Sequence, residues 1–184
     1  MKNKHNWWPF MILMAINLLG TSLVLHGHLG LFTKHCNWLL YGFACENLDA
    51  YVNDAITLLL LSVSLQLANS LTWMVLIGWF TTSCLTGIIC HSFFSTPMLG
   101  MSGGLGFYLA YATVQAIVTR KQQTKMGHVY QWAILIFSYF MMFDMIGSTL
   151  QVHATSVVVG FLIVLSLKLT KRRLVKIGRK ENTL

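Results

Sequence analysis

Gly100, Met101, Ser102 and Gly103 form a G-x-S-G sequence at the start of one apolar run, and His153 stands just inside the start of a later one. A serine hydroxyl is a weak nucleophile until a base takes its proton, and one imidazole within hydrogen-bond reach can be that base. If Ser102 opens a helix, unpaired backbone N–H groups converge there and the helix dipole favours negative charge, which makes an oxyanion site. Flanking glycines let a substrate backbone come close. The chemistry on offer is acyl transfer, with Ser102 as nucleophile and oxyanion donor through its own N–H, and His153 as general base.

The elements that must position these residues are membrane helices. Of 184 residues, 55% are hydrophobic and 10% charged, against about a quarter charged in soluble domains. The mean hydropathy is +0.63. A bilayer crossing takes roughly 17 to 25 apolar residues, and the chain predicts an all-α, polytopic membrane helical bundle with six transmembrane helices, near 9–25, 52–67, 71–90, 102–118, 129–146 and 152–167. Lys2, Lys4, Trp7 and Trp8 before the first run suit a headgroup interface. That run is longer than a signal-peptide core and no small-x-small cleavage site follows it.

The segment 26–51, with Lys34, Glu46, Asp49 and several aromatics, is too apolar for a free linker and is expected to pack on the bundle. Asn69 and Ser70 make a short turn, so helices 2 and 3 should form an antiparallel hairpin. Pro97 and Gly100 break the chain before helix 4, and Gly147 and Ser148 separate helices 5 and 6.

Orientation follows from the basic residues, which are retained on the cytoplasmic side. Lys2 and Lys4, Arg120, Lys121 and Lys125, and the cluster from Lys168 to Lys180 all fall on one side of a six-span arrangement, with only Lys34 opposite. The expected organisation is a cytoplasmic N-terminus over 1–8, a membrane domain over 9–170 and a basic cytoplasmic tail over 171–184, in a plasma (inner) membrane with both termini cytoplasmic. Clustered in this way, the net charge of +8 does not form a nucleic-acid face. The tail's partner is the lipid bilayer, at about 1 kcal/mol per charge near an anionic surface.

On these residues the chain resembles the rhomboid family of intramembrane serine proteases: a G-x-S-G motif opens one helix, a histidine opens the second helix after it, and six spans carry them, over about 38–167. The resemblance implies a Ser102 and His153 dyad, no cofactor or metal, and substrates that are transmembrane protein segments cut near the outer membrane face. Close packing of membrane helices needs small residues about four apart. Helix 4 offers Ser102, Gly106 and Ala110, and helix 6 offers Ser156 and Gly160, where the family carries glycines.

Several positions depart from the family pattern. Its histidine and asparagine, four residues apart on helix 2, correspond to Asn53 and Thr57, so the Asn53 amide becomes the expected second oxyanion donor. The Trp-Arg pair of the first outer loop is reduced to Trp38 and Leu39, and the aromatic four residues after the nucleophile is Gly106, with Phe107 as its candidate substitute. The alternative these departures support is a catalytically inactive rhomboid-like protein that binds membrane helices.

Plainer readings exist for each feature. Glycine and serine serve packing in many membrane helices, and a soluble-hydrolase elbow over Gly100 to Gly104 would need a strand before it. Asp144 could orient His153 but suits a wet interface better, and His26, His28, His35 and His91 lack the companion ligands of a metal site. Cys36 and Cys45 share a loop and could pair in an oxidising space or stay free. A transporter would show paired midplane charges or interrupted helices, which the sequence lacks.

Overall fold

The computed structural model describes residues 7–28, 41–94, 100–143 and 148–181, with side chains up to 170 except at 41, 94, 148 and 149. Six α-helices carry the fold: α1 (Trp8–Leu23), α2 (Leu48–Leu67), α3 (Met74–Phe94), α4 (Ser102–Val118), α5 (Lys125–Phe143) and α6 (Ser148–Glu181). No strand occurs among the described residues. Among the described residues four helical stretches are long and apolar enough to cross a membrane: Trp8–His28, Leu48–Leu67, Met74–Phe93 and Leu150–Thr170.

Local side-chain chemistry shifts several ends from their expected places. α2 begins at Leu48 because the Asn47 side chain accepts the Ala50 N–H at 2.8 Å, an N-cap that satisfies one of the helix's unpaired donors. Asn69 takes a positive φ of 50°, which ends α2 and delays α3 to Met74. Thr124 Oγ1 accepts the Gly127 N–H at 3.1 Å and starts α5 at Lys125. α6 runs 34 residues, about 51 Å at 1.5 Å per residue. The stretch expected as a separate tail is helical through Glu181, since Lys, Arg and Leu are good helix formers.

The bundle is built around α4, whose residues Ser102 to Ala110 are all buried. The hairpin expected of α2 and α3 is an open one, because both pack on α4, which stands between them. α6 packs on α4 more extensively than any other helix does. α2 and α4 run the same way: Asp54 near the start of α2 accepts the Met101 N–H at 3.2 Å, and Gln123 beyond α4 donates to Leu67 O at the end of α2 at 3.3 Å. α5 returns antiparallel to them, fastened to α2 by Gln131 Nε2 donating to Ser64 O at 3.0 Å. α6 then runs parallel to α4. The starts of α2, α4 and α6 therefore share one end of the bundle.

Residues 43–45, just before α2, pack on α1 near this end. Gly20 lets the Phe43 carbonyl seat directly on α1, where any Cβ would collide with it. Cys45 N–H donates to Thr21 Oγ1 at 3.0 Å. α1 leaves Trp8, Met11, Leu18 and Leu19 exposed, and α5 leaves Met126, Ile136 and Phe140 exposed. In a bilayer these side chains meet lipid at no cost.

Candidate active site

α4 and α6 meet backbone to backbone. A Cβ on Gly106 would collide with the Ser156 carbonyl, and one on Gly160 would stand 2.6 Å from Gly106 O and 2.9 Å from Phe107 Cα. This contact fixes the register of two parallel helices. Four residues back from Gly106 is Ser102, and three back from Ser156 is His153, about 6 and 4.5 Å along the axes. Both residues therefore lie at nearly the same level, and both are buried, Ser102 at 6% and His153 at 4% exposure.

Ser102 is the first residue of α4. Met101 O accepts the N–H groups of Gly104 and Leu105, at 3.0 and 3.1 Å. The Ser102 and Gly103 N–H groups have no acceptor among the described residues and lie at the positive end of the helix dipole. Gly100 precedes them with φ +157°, and a Cβ there would stand 3.4 Å from Ser102 Oγ.

The His153 ring packs its Nδ1 against Met142 O near the end of α5. A carbonyl oxygen only accepts, so Nδ1 carries the proton and Nε2 keeps its lone pair, the tautomer a general base needs. Among the described residues Ser102 Oγ is hydrogen-bonded to none, His153 included. The fold brings the pair to one level but not into a hydrogen bond.

Asn53 is half-buried, and its carbonyl accepts the Thr57 hydroxyl at 3.0 Å. Its side-chain amide has no hydrogen-bond partner among the described residues. The side chain that reaches the α4 start is its neighbour Asp54. Asp54 Oδ2 accepts the Met101 N–H, accepts the Cys45 thiol at 3.7 Å, and would lie 3.9 Å from a Cβ on Gly100. Burial first, and the nearby Asp54 carboxylate second, push the Cys45 thiol up to about 12, so it remains a protonated donor. The sequence did carry a signal for Asp54, since it is an ionisable residue within an apolar span, which is costly and functional by default.

Phe107 does not take the place of the missing aromatic. Its ring covers Gly78 of α3 and stacks on Tyr111 with centroids 5.7 Å apart. No side chain at 106 can reach past Ser156, so an aromatic there is sterically barred. Gly104 serves α3 in the same way, receiving the Trp79 indole where a Cβ would sit. Gly103 is buried beside Ser102.

Cys45, Cys84 and Cys90 are free thiols. Cys36, Trp38, Leu39, His35 and Asp144 lie outside the described residues. His26 Nδ1 bonds Ser22 O near the end of α1 at 2.8 Å, and no group of three metal-binding side chains occurs among the described residues. Compared with models of known families, with curated proteins and with solved structures, the chain matches none.

Proposed function

We propose that this protein is an intramembrane serine endopeptidase of six-span, rhomboid-like architecture, cutting transmembrane protein substrates near the outer face of a plasma membrane with both termini cytoplasmic. The observation that carries this reading is the Gly106 to Ser156 contact, which levels Ser102 with a histidine whose Nε2 is free to accept. The six spans add α4 and α5 to the four strongly apolar stretches. α4 is enclosed by protein and needs no lipid-facing side chains, while α5 exposes large apolar ones.

In this mechanism Ser102 Oγ attacks the scissile carbonyl carbon as its proton passes to His153 Nε2. The oxyanion is met by the Ser102 N–H and by the Asn53 amide. Collapse breaks the C–N bond, and Nε2–H protonates the leaving amine. Water then attacks the acyl-enzyme, giving its proton to His153, and the acid product leaves as Ser102 Oγ regains a proton. The reaction needs no metal or cofactor.

The test is labelling of the detergent-purified protein with a fluorophosphonate, which reacts only with an activated serine. Labelling is expected in the native protein and absent in Ser102→Ala and His153→Ala. The second reading, a non-cutting binder of membrane helices, is favoured by the unbonded Ser102 hydroxyl and the barred aromatic at 106. A folded native protein that neither labels nor cuts a model transmembrane substrate would make it the better reading of the two. For the second oxyanion donor, Asn53→Ala is expected to lower kcat by roughly 10²- to 10³-fold, the usual effect of losing one such donor. Unchanged turnover would remove Asn53 from the mechanism.

A further inference from the structure

The Asp54 carboxylate joins three separately positioned pieces of chain. It accepts the Met101 N–H immediately before Ser102, at 3.2 Å, and the Cys45 thiol of the 41–47 segment, at 3.7 Å. Cys45 is in turn bonded through its N–H to Thr21 of α1. No side chain caps α4 in the ordinary way, because Met101 stands at the cap position and has none to offer. An acceptor from α2 holds the last N–H before the helix instead. A carboxylate beside a helix N-terminus is also favourably placed in the dipole field, and a charge-assisted bond of this kind is stronger than a neutral one.

We propose that Asp54 is a positioning residue that fixes the Gly100 to Ser102 turn, and thereby aims the Ser102 hydroxyl and N–H at substrate. The role in aiming rests on the proposed serine chemistry, whereas the clasp itself is a property of the turn. Met101 N–H belongs to the peptide that joins Gly100 to Met101, immediately before Ser102, so holding it restrains the turn that carries Ser102. Gly100, at φ +157°, has the conformational freedom to let this plane rotate once the carboxylate is gone. Asp54 itself makes no bond to Ser102 Oγ, so it acts through the backbone rather than on the reacting atoms.

Two readouts on the full-length protein in detergent separate the inference from the serine chemistry. The first is amide hydrogen exchange over 100–105 by mass spectrometry, which needs no activity. Asp54→Ala is expected to speed exchange there by roughly ten- to hundredfold, the loss of one hydrogen bond to a charged group, with α5 and α6 unchanged. The second is the rate of fluorophosphonate labelling against probe concentration. Asp54→Ala is expected to lower the maximal rate by a similar factor with the half-saturating concentration unchanged. Asp54→Asn keeps a carbonyl oxygen for Met101 N–H but not the charge, so it is expected to recover part of the loss in both readouts, and it preserves shape should the alanine variant fail to fold.

Native-like exchange over 100–105 in Asp54→Ala would overturn the clasp. Faster exchange with an unchanged labelling rate would overturn its role in aiming Ser102. An Asp54→Asn variant that folds but exchanges as fast as a chain with no acceptor overturns the hydrogen bond as the cause. Failure of the native protein to label defeats the serine chemistry alone, and the exchange result then stands on its own.

Discussion

Ser102→Ala and His153→Ala are each expected to reduce cleavage of a model transmembrane substrate in liposomes by at least about 10⁴-fold, and the double variant no further. The reason is that a nucleophile and its base act as one unit: without the imidazole the hydroxyl keeps its proton, and without the hydroxyl the imidazole has nothing to deprotonate. A gel assay of substrate and product at matched protein concentrations measures it. Losses that multiply in the double variant would mean the residues act independently, as they would if His153 only held Met142 O and the end of α5. A His153→Ala protein that retains most of its activity would point to another base. The unformed hydrogen bond between the pair does not lower this expectation, since catalytic contacts in free enzymes are often long and tighten with substrate.

The second large effect is on the fold. Gly106→Ala is expected to destabilise the protein by roughly 1 to 3 kcal/mol, the range for overpacking a close contact, and Gly106→Leu to prevent α4 and α6 from docking. The collision is with the backbone carbonyl of Ser156, so a companion Ser156→Gly change is not expected to rescue either variant. Thermal unfolding in detergent, followed by circular dichroism, reads the shift. Ala154→Leu, on an exposed position of the same helix, serves as the control and should leave the transition where it was. An unshifted transition for Gly106→Leu would mean that the helices can separate without loss, and that the register placing Ser102 level with His153 is not fixed by this contact.

Much of this arrangement was legible in the residues. The apolar runs located all six helices, and the break at Gly100 put the start of α4 at Ser102, where it stands. What hydropathy does not register is which side chain bonds which backbone group at a helix end. Asn47 and Thr124 are caps, and each draws its helix several residues further out than the apolar run alone suggests. The helical continuation of α6 through its basic residues escaped for a related reason, because charge marks where the bilayer ends and not where the helix does.

At the site, spacing along each helix was enough to level a serine with a histidine, yet it could not decide between neighbours on α2. Counting back from a turn singles out Asn53 as an oxyanion donor, and it does not show that Asp54, one residue and about 100° further round, bonds the α4 start. Phe107 shows the same limit: adjacency in sequence says nothing of which neighbouring helix a ring meets.

The enclosure of α4 has a consequence for how the protein is made. With every side chain from Ser102 to Ala110 buried and Gly103, Gly104 and Gly106 among them, this helix offers lipid little apolar surface of its own. It is synthesised before α6, whose backbone fills its glycine face. Until α6 arrives, α4 is held by α2 and α3 on either side of it and by α5, which also packs on it. A chain cut off before Val152 would therefore leave the glycine face of its central helix uncovered. The Gly106 to Ser156 contact, and with it the level that Ser102 shares with His153, forms only once α6 is in place.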